Sequence, residues 1–337
     1  ALHTTQIFGA PVYSYGYREA VIDGYLVDHE PPLQIRTQLA EEGIVWRAGD
    51  QVAVYNAEQQ LELFTTPDEV RIDVDGFNRK VITEAFNRTV CEALAAELDP
   101  ASKQKTLIFC ATDRHADLVV RLLKEAFQAR YGEVDDDAVV KITGAADQPL
   151  TLIRRYKNER LPNVAVTVDL LSTGIDVPEI CNLVFLRRVN SRILYDQMLG
   201  RATRLCPDLG KEAFRIFDAV RLYEALKDVT AMQPVVVNPA LSFAQLCREL
   251  AEDRPDAERA LARDQFLAKL QRKKRHLDEA AQRDVETLTG QPLDACAAML
   301  RRLPLPELTA WFQARPTLGE LLDRQSGGGA SVLVSEH

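Results

Sequence analysis

Long hydrophobic runs are missing from this sequence, which nowhere strings together the roughly 18 apolar residues a membrane helix needs. No secretory signal occurs either. A membrane or exported protein is therefore not expected, and a cytoplasmic one is. Cysteine is sparse and scattered: Cys91, Cys110, Cys181, Cys206, Cys247 and Cys296 form no C-x-x-C pair, and Cys110 ends the apolar run Leu107-Ile108-Phe109. Buried free thiols of a reducing compartment are the expected state. Five dispersed histidines complete no metal pattern. An excess of positive charge is also lacking, since 41 Lys and Arg face 50 Asp and Glu for a net charge of -9. Bulk charge thus gives no argument for nucleic-acid binding, yet does not exclude a local basic groove, because phosphate contacts need only a few well-placed groups.

What is present is globular. Hydrophobic residues make up 46% and charged residues 27% of the 337, with the charges spread rather than blocked, enough for two or three domains with proper cores. The chain opens on Ala1 without Met, and it is read as a fragment. Residues 1–75 mix turn signals with short alternating segments, Ile22 to Val27, Val45 to Arg47, Gln51 to Tyr55 and Leu61 to Phe64, which predict strands and hairpins. Helical spacing of Val81, Ile82, Ala85, Phe86, Val90, Leu94 and Leu98 predicts a helix over 78–98.

From 105 to 220 short β-rich runs alternate with amphipathic stretches, the pattern of a helix-covered parallel sheet. Strands are predicted at Lys105 to Cys110, Val139 to Thr143, Val164 to Val168, Asn182 to Leu186 and Ala213 to Phe217, and helices at His115 to Tyr131, Leu150 to Asn158 and Leu194 to Thr203. Beyond Pro239 the text turns all-α. Ser242 is placed to cap Phe243 to Glu252, a long run extends from Asp256 to about Leu288, and Pro304, Pro306 and Pro316 divide the remainder. Ser326-Gly327-Gly328-Gly329 has linker composition, so 326–337 is expected to be a flexible tail.

Two motifs carry chemistry. Gln197, Gly200, Arg201 and Arg204 form Q-x-x-G-R-x-x-R, which on a continuous helix would share one face and converge on a polyphosphate, with Gly200 permitting close approach. A solvated basic face is the bland alternative. Upstream, the strand Val164 to Val168 delivers Thr167 and Asp169 at its carboxyl end, where ligands sit in open α/β sheets. Gly174-Ile175-Asp176-x-Pro178 follows, offering a carboxylate for a ribose hydroxyl or an arginine. The basic run Arg272-Lys273-Lys274-Arg275-His276 lies opposite Phe266, Leu267, Leu270 and Leu277. It reads as a solvated face, with a DNA or partner contact as the alternative.

Thr106 to Thr112, Val166 to Pro178 and Gln197 to Arg204 resemble motifs IV, V and VI of superfamily 2 helicases. Gly9 to Tyr15 with Arg18 to Asp28, and the wording from Thr167 to Asp176, resemble the R subunit of type I restriction enzymes, and the helical tail is similar to its EcoEI-like branch. The resemblance implies an α/β fold, a RecA-like parallel-sheet domain of the P-loop NTPase type, followed by an all-α C-terminal module. Residues 1–75 would be the tail of a first RecA-like motor domain with a β excursion, 76–225 the second, and 240–325 a helical module docking onto the methyltransferase core. Arg201 and Arg204 would face ATP, with Arg204 the finger and Gln197 closing the site. Gly174, Asp176 and Gly200 would border the nucleotide. Thr167, Thr112, Thr143 and Gly144 would touch DNA, although a capping or turn role for each threonine stays open.

The resemblance further implies ATP and Mg2+ in the intact subunit, double-stranded DNA as the track, and methyltransferase (M) and specificity (S) subunits as partners in an ATP-dependent type I site-specific deoxyribonuclease. No G-x-x-x-x-G-K-[ST] loop, D-E-x-H segment or D…E-x-K nuclease pattern occurs in the 337 residues. The fragment is therefore expected to hold half an ATPase site, bind no nucleotide tightly and turn over no ATP. Two rivals stay open: a motor fragment of another superfamily 2 DNA helicase, and a non-catalytic RecA-like interaction module.

Overall fold

Lys105-Thr106-Leu107-Ile108-Phe109 is buried throughout, as expected of a central strand of branched and aromatic residues covered on both faces. In the computed structural model, which describes residues 13–55, 61–66, 69–72, 77–78, 82–169 and 175–324, it lies within a parallel sheet. Six strands of that sheet, numbered in chain order, are β1 (Leu33–Gln34), β2 (Lys105–Phe109), β3 (Val139–Lys141), β4 (Val164–Thr167), β5 (Ile180–Phe185) and β6 (Ala213–Asp218). They run β1-β6-β5-β2-β4-β3 across the sheet, and every neighbouring pair is parallel. Ile108 sits level with Val166 on one side and Val184 on the other.

The chain runs from β2 out to β3, returns to β4, then crosses to β5 and β6. The order therefore reverses between β2 and β5, and the crevice at their carboxyl ends is where an open sheet of this kind accepts ligands. Helices Glu84–Glu97, Asp113–Tyr131, Pro149–Asn158 and Arg192–Leu199 flank the strands. The first two pack on each other and bury Val90, Leu94, Val119 and Leu123 almost completely. Two antiparallel pairs, Ile44–Trp46 with Val70–Ile72 and Gln51–Tyr55 with Leu61–Thr65, form the β excursion.

The chain divides into two compact units, one of Pro32–Thr203 with Phe214–Thr230, the other of Ala1–Pro31, Arg204–Ala213 and Ala231–His337. In the second unit Ser242 caps Phe243–Ala251 as expected, accepting from Gln245 N at 3.0 Å. The long run instead breaks into Asp256–Lys273 and Glu279–Thr289, because Asp278 captures Ala281 N at 2.8 Å and starts a new helix. Ile22 to Val27 is not a strand: Tyr17–Ile22 is a helix, begun where Glu19 accepts the Gly16 N–H at 3.0 Å, and the chain turns at Gly24.

The basic run departs from the solvated-face reading, since every member meets a partner of its own unit. Arg272 pairs with the fully buried Asp28 at 3.1 Å, and Arg275 donates to the carbonyls of Lys211 and Gly24. His276 meets Glu212 at 2.8 Å, Lys274 meets Asp294, and Lys273 donates to the Arg324 carbonyl. Asp28 also accepts from Tyr17 Oη at 3.0 Å and from the N–H groups of Val235 and Val236. Burial, with the Asp28 carboxylate beside it, pushes the Tyr17 phenol well up.

Candidate functional site

The carboxyl edge of the sheet gathers the four expected nucleic-acid contacts. Thr112, just past β2, is the N-cap of Asp113–Tyr131, its hydroxyl accepting from His115 N at 3.1 Å. Thr143, just past β3, donates to Asp113 Oδ1 at 2.5 Å, and Lys141 bridges Asp113 at 2.8 Å and Asp117 at 2.6 Å. Hydrogen bonds from Lys141 and Thr143 hold the Asp113 carboxyl below its usual range. Gly144 is exposed and open, with nothing among the described residues within 4 Å of where a Cβ would stand. Thr167, the last residue of β4, is fully buried, and among the described residues its hydroxyl finds no partner. Its carbonyl accepts from Cys110 N at 2.7 Å, which fixes the ends of β2 and β4 side by side.

The arginine helix is shorter than its pattern suggests. Arg192–Leu199 is capped by Ser191 and gives out at Gly200. The following amides tighten to three-residue bonds, Arg201 N to Met198 O and Ala202 N to Leu199 O, and Thr203 Oγ1 donates to the Gly200 carbonyl at 3.1 Å. Burial of Ala202 and Thr203 draws the chain inward and ends the helix. Only Gln197 thus lies within the helix, Gly200 is its C-cap, and Arg201 and Arg204 both lie beyond it, so the single helical face of four residues does not form. Gly200 has ordinary helical angles, and among the described residues a Cβ there would meet only the carbonyls of the preceding turn, Asp196 O at 3.3 Å and Gln197 O at 3.5 Å. Close approach of another element is not what requires this glycine.

Arg201 is nonetheless brought to the preceding motif. Its Nη1 donates to the Ile175 carbonyl at 2.9 Å and its Nε to the Gln197 carbonyl at 3.2 Å. Planar guanidinium geometry lets one side chain hold both. The exposed Asp176 follows Ile175 directly, and Gly174 lies outside the described residues. Among those residues no group of three or more His, Cys, Asp or Glu converges to hold a metal, and no helix is long and apolar enough to cross a membrane.

Three contributors were not singled out by sequence reasoning. Arg187, just past β5, donates to Val168 O at 3.2 Å and to Asp169 Oδ1 at 2.7 Å, joining the loops after β4 and β5 across β2. Arg188 grips the carbonyls of Val220 and Arg221, beyond β6. The dipeptide Arg187-Arg188 at the end of a buried strand was the available signal. His115 is the third, a fully buried imidazole beside the Thr112 cap.

The helicase conserved C-terminal domain family matches residues 87–206. The chain is 49% identical over 286 residues, 81% of its length, to the EcoKI endonuclease subunit of the Escherichia coli K12 type I restriction enzyme, and 28% identical over 232 residues to the EcoAI endonuclease subunit of Escherichia coli. It spans about a quarter of each, 24% and 27%. A solved fragment described as an HsdR subunit of a type I restriction enzyme from Vibrio vulnificus YJ016 is 22% identical, with 68% of this chain and 39% of that one covered and a TM-score of 0.45. These relatives give no support to the EcoEI-like branch, which is not carried further. The chain is thus similar to one part of the R subunits of type I restriction enzymes, and it carries a helicase C-terminal domain with a helical region after it.

Proposed function

We propose that this chain supplies the second motor domain of an ATP-dependent DNA translocase, together with a helical region that docks the motor onto the M and S subunits of a restriction complex. The observation that carries the reading is the bond from Arg201 to the Ile175 carbonyl beside Asp176. It joins the arginine motif to the loop after β4 at the carboxyl side of the sheet. In this reading residues 76–225, joined by the strand Leu33–Gln34, form the second RecA-like domain, and 240–325 form the docking region.

Arg201 and Arg204 act on charge that develops as the terminal phosphate of ATP departs, Gln197 and Gly200 shape the last helical turn, and Asp176 borders the ribose. Thr112, Thr143, Gly144 and Thr167 line the edge that follows the DNA. The phosphate loop and the ligands of Mg2+ are expected from the first motor domain, so the fragment alone hydrolyses no ATP. Convergence of Arg201 on the loop of Asp176 favours this over a non-catalytic scaffold, for which no such contact is required.

The test uses the full-length subunit assembled with its partners, carrying Arg204→Ala or Arg201→Ala. Because binding comes mainly from the phosphate loop while a finger acts in the transition state, both variants should bind ATP with near-normal affinity and lose DNA-stimulated hydrolysis by about 10³-fold or more. Lysine should not rescue either position. Wild-type hydrolysis in both alanine variants would remove the catalytic assignment of this turn. The 337-residue chain itself should bind DNA weakly and with steep salt dependence, and tight sequence-selective binding at physiological salt contradicts the DNA-tracking role.

A further inference from the structure

Between the helices Glu84–Glu97 and Asp113–Tyr131 three buried polar side chains, Asn78, Asn87 and His115, are each 0% exposed. They lie in one hydrogen-bonded line. The Ala111 N–H donates to His115 Nδ1 at 3.2 Å. An amide N–H can only donate, so Nδ1 carries a lone pair and the ring proton resides on Nε2. Nε2 lies 2.9 Å from Asn87 Oδ1, and Asn87 Nδ2 donates onward to Asn78 Oδ1 at 2.8 Å and to Thr83 O at 2.9 Å. Asn78 Nδ2 then donates to the Leu186 carbonyl at 2.9 Å.

Every bond along the line therefore points the same way, from the backbone just past β2 to the backbone just past β5. In such a chain each bond polarises the next, and one broken link leaves buried partners unsatisfied. Leu186 N in turn donates to Phe109 O at 3.0 Å, which closes the line into a ring. The two ends flank the crevice where the strand order reverses. Ala111 precedes the Thr112 cap, and Leu186 precedes Arg187, which holds Val168 and Asp169. Asn78 sits in the left-handed region, φ 62°, a conformation asparagine tolerates better than most residues. The backbone there is bent to aim its amide at Leu186.

We propose that His115, Asn87 and Asn78 are positioning residues for the DNA-facing edge. They fix the spacing of the loops after β2 and β5, so that Thr112 and Arg187 meet a nucleic-acid strand in register. This rests on the DNA-tracking role proposed above. A histidine that keeps its proton on Nε2 suits the task, because a change of tautomer would break both of its bonds. Burial supports that state, pushing the imidazole down to about 3 so that it stays neutral.

The experiment uses the 337-residue chain with His115→Leu, which removes both bonds, and His115→Gln, whose amide offers one acceptor and one donor. Hydrogen exchange by mass spectrometry is followed in the segments 108–115 and 183–190. Affinity for fluorescein-labelled single-stranded and duplex oligonucleotides is measured at low salt by anisotropy. His115→Leu should speed exchange in both segments and weaken DNA binding by about fivefold or more, while His115→Gln keeps both near wild type. Faster exchange in 108–115 with 183–190 unchanged overturns the relay. Wild-type affinity in folded His115→Leu overturns the positioning role, as does a loss that His115→Gln fails to restore. If His115→Leu does not fold, Asn78→Gly, which deletes the last link and tolerates the left-handed backbone, takes its place with the same readouts and the same reversals. Failure of the wild-type chain to bind DNA at low salt removes the DNA-tracking reading and with it the positioning role, whereas the relay itself stands or falls on the exchange data.

Discussion

The charge state of His115 is set by its surroundings, and its pH dependence follows. Its folded value of about 3 lies below the unfolded 6.5 because burial penalises the imidazolium. Folding therefore favours the neutral ring. This contribution is fully present above pH 6.5 and is lost as pH falls from there toward 3, at up to about 1.4 kcal/mol for each pH unit. Thermal midpoints across that window should fall less steeply for His115→Gln than for wild type, and identical slopes would mean that His115 is not the group responsible. Arg272 makes the same point about context. Its letters read as one cation among four, yet it faces a carboxylate with no exposed surface. Arg272→Met leaves Asp28 buried without its counter-charge, at a cost of about 3–5 kcal/mol. Urea unfolding should register that cost, and a loss below about 1 kcal/mol would indicate that water or the Val235 and Val236 amides suffice.

Elements were legible where one local signal dominates, and less so where a neighbour decides. The apolar runs Lys105 to Cys110, Val164 to Val168 and Asn182 to Leu186 announced their strands, the last of which begins earlier, at Ile180, and Ser242 announced its helix. The C-terminal end of Arg192–Leu199 was not legible, because the pattern Q-x-x-G-R-x-x-R is compatible with a continuing helix. The end depends on Thr203 reaching back to Gly200 O and on the burial of Ala202. Gly319 gave no sequence signal at all. A Cβ there would crowd the Ala244 backbone and stand 2.8 Å from the Phe243 carbonyl, so the helices Leu318–Asp323 and Phe243–Ala251 touch backbone to backbone. Gly319→Ala must push them apart, with a predicted loss of about 1–3 kcal/mol. A melting point unchanged from wild type would show that the contact yields freely.

On the scale of the whole molecule, the division into units is not a division of the sequence. Residues before Pro32 and residues 204–213 belong with the helical region after 231, and specific bonds within that unit say why. Arg18 pairs with Asp264 at 2.8 Å, Gln271 donates to Ile22 O at 3.0 Å, and Asp28 gathers Arg272, Val235 and Val236. A fragment beginning at Pro239 lacks these partners, and Arg272 in particular loses its counter-charge. It should be less helical and less cooperative on heating than the same region within the 337-residue chain, as circular dichroism can measure. An independent, cooperative transition of that fragment at the midpoint of the parent chain would show that the partners are dispensable. Taken alone, the sequence determined the alternation of strand and helix and the family resemblance, because hydrophobic period and motif spacing are local properties of the chain. The tertiary structure decided that the helix ends before Arg201 and Arg204 and that Arg201 reaches Ile175, that a basic run is held by partners within its own unit, and that His115, Asn87 and Asn78 lie in one line. Those outcomes depend on which distant groups burial brings together, and a buried polar group takes whichever partner is within reach rather than one its own sequence neighbours specify.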